Sequence, residues 1–347
     1  MAKRGGGYSY DESYVKVRPN RRGTRPRTKD RPAHDDAIFG MVTTKDRGRW
    51  GVVLDRDVEI LGDKAPAIVC MRARELGRTA IEVGDRVGVV GDTTARPGTL
   101  ARIVKLAKRQ SVLRRTADDT DPYERIVVAN ADRLLIVSAV ADPPPRAGFV
   151  ERSLIAAFVG NLQPVIALTK SDLADPSEFA QEFAALDVPV VLCGVDDDLA
   201  AVQKVVHGHI TALIGHSGVG KSTLVNRLVP NADRAVGVVS GVGKGRHTST
   251  QSVALRLPST DGKPAGWIID TPGIRSFGLA HVDAEQIVGL FEDLAAAAEK
   301  CPRGCSHLGP PADPECAFDE LTGASWRRAQ AVRSLLEALR SKQDWEF

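Results

Sequence analysis

The run Gly215-His216-Ser217-Gly218-Val219-Gly220-Lys221-Ser222 constrains this chain more than any other stretch, because its spacing is that of a phosphate-binding loop. It follows the apolar run Thr211-Ala212-Leu213-Ile214 and leads into Thr223-Leu224-Val225-Asn226, which predicts a buried strand, a tight turn and a helix N-terminus in that order. Glycines let backbone N–H groups turn toward phosphate oxygens, and the helix dipole adds to their pull. In such a loop Lys221 neutralises the β- and γ-phosphates, and the Ser222 hydroxyl ligates Mg²⁺. The continuous apolar runs from residue 134 onward, unbroken by polar alternation, predict strands buried on both faces, hence an α/β sheet with parallel strands.

Two further segments end apolar runs. After Trp267-Ile268-Ile269 come Asp270-Thr271-Pro272-Gly273, where a carboxylate can hold Mg²⁺ through water and the Gly273 N–H can reach a γ-phosphate. After Val165-Ile166-Ala167-Leu168 come Thr169-Lys170-Ser171-Asp172. The Asp172 carboxylate matches the N1–H and N2–H₂ donors of guanine, whereas adenine presents the opposite polarity at N1, so the segment selects GTP over ATP. The competing reading of it is an ordinary helix cap. Cys193-Gly194, after Val190-Val191-Leu192, falls where a supporting base-contact loop belongs.

In an ordinary GTPase the base motif follows the phosphate loop, and here it precedes it. The expected fold is therefore a P-loop GTPase domain with circularly permuted motif order. Its nucleotide-binding set is Thr169, Lys170, Asp172, Cys193, Gly194, Gly215, Ser217, Gly218, Val219, Gly220, Lys221, Ser222, Thr223, Asp270 and Gly273. Gly245-Arg246-His247-Thr248-Ser249-Thr250 lies between the loop and Asp270 and is the natural switch segment. Either Thr248 or Thr250 completes the Mg²⁺ shell begun by Ser222 and Asp270, with Thr250 preferred. Ile274 follows the Asp-x-x-Gly motif and cannot hydrogen-bond a water, so another group must orient the nucleophile. His247 is the candidate catalytic partner of Lys221; alternatively it meets RNA or solvent. Weak intrinsic hydrolysis, raised by a partner that orders this segment, follows.

Upstream, five short apolar pieces between Ile38 and Thr116, broken by turn signals, predict a small β-barrel of the OB-fold type. Lys105, Lys108, Arg109, Arg114 and Arg115 cluster after its last strand, either as an RNA contact or as a solvated run. Residues 1–32 hold ten Lys or Arg against three Asp or Glu, so although the whole chain is only +3 its opening is strongly basic. With almost no large aliphatic side chains this stretch cannot bury a core, and it reads as a disordered arm that holds RNA phosphates or simply solubilises. No apolar run approaches a membrane span and no secretory h-region is visible, which points to a cytoplasmic protein without membrane contact. Neither coiled-coil heptads nor a large apolar stripe appears, so a monomer is expected.

Five cysteines in such a protein do not suggest disulfides. Cys301, Cys305, His307 and Cys316, spaced Cys-x₃-Cys-x-His-x₈-Cys, are enough ligands for one closed, structural Zn²⁺ site, the alternative being free thiols in a loop. Cys70 and Cys193 read as strand-packing residues.

Permuted motif order, the Gly-Arg-His-Thr-Ser-Thr switch, an N-terminal barrel and a C-terminal Cys-Cys-His-Cys knuckle together resemble the RsgA family, the ribosome small subunit-dependent, circularly permuted GTPases. Lys108-Arg109-Gln110-Ser111-Val112-Leu113-Arg114 and Ala129-Asn130-Ala131-Asp132 support the match, which runs from about residue 36 to the end. The resemblance implies a late-assembly factor that binds the small ribosomal subunit and its rRNA, is activated there to hydrolyse GTP to GDP, and then departs, with His247 in the position of a switch histidine. The knuckle loops differ in length from the usual ones, and the Arg-rich arm is an addition. The expected organisation is a basic arm (1–35), an OB-fold RNA-binding domain (36–116), the permuted GTPase (117–282) and a helical zinc-binding domain (283–347). A nucleotide-gated RNA-binding protein with negligible turnover has the same motifs and remains the alternative.

Overall fold

The first five strands close a barrel. β1 (Ile38–Asp46), β2 (Arg49–Leu54), β3 (Ala67–Arg72), β4 (Arg86–Gly91) and β5 (Ala101–Leu106) pair in the cyclic order β1-β2-β3-β5-β4. Of the five pairings only β3 with β5 is parallel, which is the OB arrangement expected. Val42, Val52, Leu54, Ile68, Val87, Val89 and Ile103 fill the interior, and the buried Trp50 donates Nε1–H to Ile81 O at 3.1 Å. The computed structural model describes residues 33–116, 124–230, 251–259, 266–271, 277, 279 and 282–340. The basic arm, apart from its last residues, lies outside them.

The basic run after β5 is not one free surface. Arg109 donates Nε and Nη2 to the two carboxylate oxygens of Asp85, both at 2.7 Å, and Nη2 also reaches Ala80 O. The Asp85 side chain is fully buried, so this arginine is a structural counter-ion rather than a nucleic-acid contact. Lys105 lies 3.9 Å from Asp35, and Arg114 3.6 Å from Glu124. Arg109→Ala leaves a buried carboxylate without its partner and is expected to cost about 3–5 kcal/mol of stability, read from the denaturant midpoint.

β6 (Val112–Arg115) and β7 (Arg125–Ala129) form a hairpin across the residue-116 boundary, and Ala129 N–H donates to Val83 O at 2.9 Å, fastening it to the barrel. The α/β unit follows as β8 (Arg133–Ala139), α1 (Ala147–Val159), β9 (Gln163–Thr169), α2 (Ser177–Ala184), β10 (Val190–Leu192), α3 (Ala200–Val206), β11 (His209–Ile214), α4 (Lys221–Leu228), β12 (Val253–Arg256) and β13 (Gly266–Asp270). Its six strands lie in the order β10-β9-β8-β11-β13-β12. All neighbours are parallel except β12, an antiparallel edge. The first strand of this unit in chain order, β8, thus sits beside β11, the strand that carries the phosphate loop. A chain can begin there because the sheet keeps its neighbours wherever the ends are cut.

The period of two divides the strands between two faces. Leu134, Ile136, Ile166, Leu168 and Ala212 face α1 and α2, while Leu135, Val137, Val165, Ala167 and Leu213 face α3 and α4. The C-terminal helices α5 (Ala284–Val288), α6 (Glu292–Ala298) and α7 (Gly323–Arg340) extend the first of these cores. Asp283 starts α5 with a capping box, accepting Gln286 N–H at 2.9 Å. Buried Val332, Leu335 and Leu336 hold α7 in that core, and Arg152 of α1 donates to Ala338 O at 3.0 Å. Arg328 pairs with Asp187 and Asp293 at 2.6 Å each. No described helix is long and apolar enough to cross a membrane.

Candidate functional site

Parallel strands end on one edge of a sheet, so the segments that follow β9, β10, β11 and β13 emerge together, at the crevice where α/β folds bind ligands. At the end of β11 the chain turns through Gly218 and Gly220, with φ of 82° and 89°, left-handed values that a Cβ would strain. Gly220 is the N-cap of α4, which begins at Lys221; Ser222 and Thr223 follow in its exposed first turn, Ser217 is exposed, and Val219 packs inward among Leu224 and Val225. Gly215, at the start of the loop, is buried against Val137 O.

Lys221 Nζ lies 2.5 Å from Asp270 Oδ1 at the end of β13 and also donates to Thr271 O. Thr271 is buried and donates Oγ1–H to Leu213 O at 2.5 Å, which ties the end of β13 to β11. The phosphate-loop lysine and the Asp-x-x-Gly carboxylate predicted to share a ligand are therefore in direct contact. Gly273, Thr248, Thr250 and His247 lie outside the described residues, as does Ile274.

At the other end, buried Thr169 donates Oγ1–H to Val219 O at 2.5 Å, so the base motif is bonded directly to the phosphate loop. Lys170 takes φ of 58° and donates Nζ to Asp142 O, and Asp172 is exposed on the turn that follows. Cys193 and Gly194 behave differently from each other. Cys193 faces the core, its thiol donating to Leu168 O at 3.4 Å and pushed up to about 12 by burial, so it packs rather than reaching a ligand. Gly194 N–H is bound at 2.7 Å by Asp197 Oδ2, which also accepts Ser171 Oγ at 2.8 Å. Asp197 and Arg227 carry no signal of this role in the sequence: the first sits in an Asp196-Asp197-Asp198 run that reads as solvated charge, the second on the polar side of a short helix.

The four predicted metal ligands converge. Cys301, Cys305, His307 and Cys316 bring their ligand atoms within 4.8 Å of one another, with Cys301 Sγ 3.5 Å from His307 Nδ1. Ala317 N–H points at Cys301 Sγ and His307 N–H at Cys305 Sγ, at 3.3 and 3.4 Å, contacts that favour a thiolate. Burial raises both thiols and lowers the His307 imidazole below its ordinary range, which keeps the ring a neutral ligand. The loop is fixed by Asp313, which accepts Ser306 N–H and Leu308 N–H at 3.0 and 3.1 Å. Phe318 stacks on His307 at 4.8 Å, and Arg333 of α7 donates to His307 O at 3.1 Å. This donor set can hold a metal ion.

Residues 106–280 match the RsgA GTPase family. Among relatives, the "Small ribosomal subunit biogenesis GTPase RsgA" of Gemmatimonas aurantiaca is 33% identical over 294 residues, covering 82% of this chain and 91% of that protein. The protein of the same name from Chlorobaculum tepidum is 30% identical over 277 residues, covering 76% of this chain and 86% of its own. The fold is similar to the crystal structure of YloQ, a circularly permuted GTPase, with a TM-score of 0.59 at 20% identity over 88% of this chain and 97% of that one. YjeQ from Thermotoga maritima gives the same TM-score at 22% identity, over 88% of this chain and 99% of its own. Phosphate loop, upstream base motif, barrel and cysteine knuckle agree with that likeness, and the chain belongs to the RsgA GTPase family.

Proposed function

We propose that this protein hydrolyses GTP on the small ribosomal subunit during that subunit's maturation. The observation that carries the reading is the contact of Lys221 with Asp270 and of Thr169 with Val219, which joins three motifs of a guanine-nucleotide site at one sheet edge. A relative that matches over four-fifths of the chain is named as a small-subunit biogenesis GTPase, which supports the partner.

In this reading Asp172 reads guanine, the loop from Gly215 to Thr223 holds the phosphates, and Lys221 neutralises charge that develops between the β- and γ-phosphates. Ser222 and Asp270 would hold Mg²⁺, which would offset negative charge on the phosphates. Thr250 would be a further ligand of that ion, and His247 would orient the attacking water. In a tetrahedral zinc site, sulfur and nitrogen ligands stand roughly 3.5 Å apart; the Cys301–His307 separation of 3.5 Å supports structural zinc. With four protein ligands the ion has no open position for chemistry.

In this reading the barrel and the knuckle domain both contact the subunit. Arg49, Met71 and Arg102 stand in register across β2, β3 and β5, all exposed, with Arg47, Arg74 and Arg78 in adjoining turns. Such a stripe neutralises phosphates while Met71 offers an apolar contact. The double variant Arg49→Ala, Arg102→Ala is expected to weaken subunit binding and to flatten its salt dependence by about one unit of slope for each arginine removed, with GDP affinity unchanged.

The deciding experiment measures GTP and ATP hydrolysis by the purified protein with and without small ribosomal subunits. GTP-specific stimulation by the subunit is expected. Equal rates in both conditions, with GTP-dependent RNA binding intact, would replace the proposal with a nucleotide-gated RNA binder.

A further inference from the structure

A carboxylate on an exposed turn reads a base only if the turn is held from outside. Asp172 is such a carboxylate, and its neighbour Ser171 donates Oγ–H to Asp197 Oδ2 at 2.8 Å. The same oxygen accepts Gly194 N–H at 2.7 Å, so one atom joins the loop after β9 to the loop after β10. A Cβ at 194 would stand 2.4 Å from Ser171 Oγ and 3.1 Å from Asp197 Oδ2, so a larger residue there would displace the side chains of this junction.

Behind this junction lies Arg227, near the end of α4. Its guanidinium donates Nη1–H to Gly194 O and Nη2–H to Asp197 O, both at 2.7 Å. Its planar fork suits two carbonyls held side by side. The helix that starts at the phosphate loop therefore also supports the loop after β10 directly, and the loop after β9 through Asp197. The Ser171 and Gly194 hydrogen bonds, with Arg227 nearby, hold the Asp197 carboxyl below the usual carboxylate range, so it is an ionised acceptor at neutral pH.

We propose that Asp197 and Arg227 are positioning residues for guanine selection: Asp197 clamps Ser171 to Gly194, and Arg227 locks that clamp to the phosphate-loop helix. The proposal rests on Asp172 being the base reader. Neither residue touches nucleotide in this scheme; both act by setting where Asp172 stands.

The test uses the full-length protein and two nucleotides, GDP and inosine diphosphate, which lacks only the 2-amino group. Each is measured by competition against a fluorescent GDP. One charge-assisted hydrogen bond to that group predicts a preference for GDP on the order of 10- to 100-fold. Asp197→Ala is expected to narrow it about fivefold or more, and Arg227→Met to act in the same direction. Asp197→Asn is expected to retain most of it, since an amide oxygen can accept from both Ser171 and Gly194. Equal weakening of both nucleotides by Asp197→Ala and Arg227→Met, leaving the ratio unmoved, overturns the proposal. Asp172→Ala separates base reading from the clamp. If it abolishes the preference while Asp197→Ala and Arg227→Met do not, only the clamp falls; if it leaves the preference intact, the base-reading role falls and the clamp with it.

Discussion

Lys221→Ala is expected to reduce kcat for GTP by two to three orders of magnitude, about 3–4 kcal/mol of transition-state stabilisation by analogy with removing one charge-stabilising donor. The ammonium is held by Asp270 Oδ1 at 2.5 Å and by Thr271 O, with only 13% of the side chain exposed. Few waters are available there to replace it, so charge growing between the β- and γ-phosphates would go unanswered. GDP, which lacks the γ-phosphate, should lose less affinity than GTP loses in rate. Lys221→Arg is not expected to rescue, because a planar fork does not take the place of a compact ammonium in a site this closed. Single-turnover hydrolysis beside GDP titration checks both statements, and a kcat within a few-fold of the parent protein would remove Lys221 from catalysis.

Loss of the zinc proposed for the knuckle is the second large effect expected. Cys316→Ser, or treatment with a strong chelator, is expected to remove one equivalent of zinc and to loosen residues 301–316, since ion binding at such sites is itself folding free energy, about 10–16 kcal/mol apparent in isolated zinc-finger peptides. The damage should spread, because His307 is stacked on the fully buried Phe318 and bonded through its carbonyl to Arg333 of α7. The core that holds the phosphate-loop helix contains no residue of the C-terminal helices, so GDP binding should survive while subunit binding falls. Asp313→Ala, which touches the loop but supplies no ligand, should weaken zinc about 10–100-fold. Metal content by elemental analysis, with amide exchange over α7, reads both; a metal-free protein with α7 fully protected would make the knuckle dispensable.

Some of this organisation was open to reading and some was not. The barrel strands and the sheet strands were legible because burial on one or both faces imposes a period or a continuous apolar run. The helix Asp55–Leu61 went unread because it buries no residue and so carries no periodicity. The strand β12 was hidden for a related reason: it is four residues long, at an antiparallel edge, and bordered by Ser252 and Pro258. Arg109 read as part of a basic surface because nothing near it in the chain announces Asp85, 24 residues away, as a buried partner. Cys193 carried two readings, a place at the start of a base-contact loop and a strand-packing role, and its thiol turns into the core as the second requires.

Residue type and spacing alone pointed to the chemistry: a phosphate loop, a carboxylate ahead of it suited to guanine, and four cysteine and histidine side chains that could hold one ion are local patterns. Only the tertiary structure decided the company these groups keep, the contact of Lys221 with Asp270, Thr169 on Val219, and Asp197 and Arg227 behind the base loops. The physical reason is distance along the chain. Hydrogen bonds and ion pairs between residues 30 to 50 positions apart leave no periodic trace, and they are set by strand register and helix packing, which exist only once the sheet has formed.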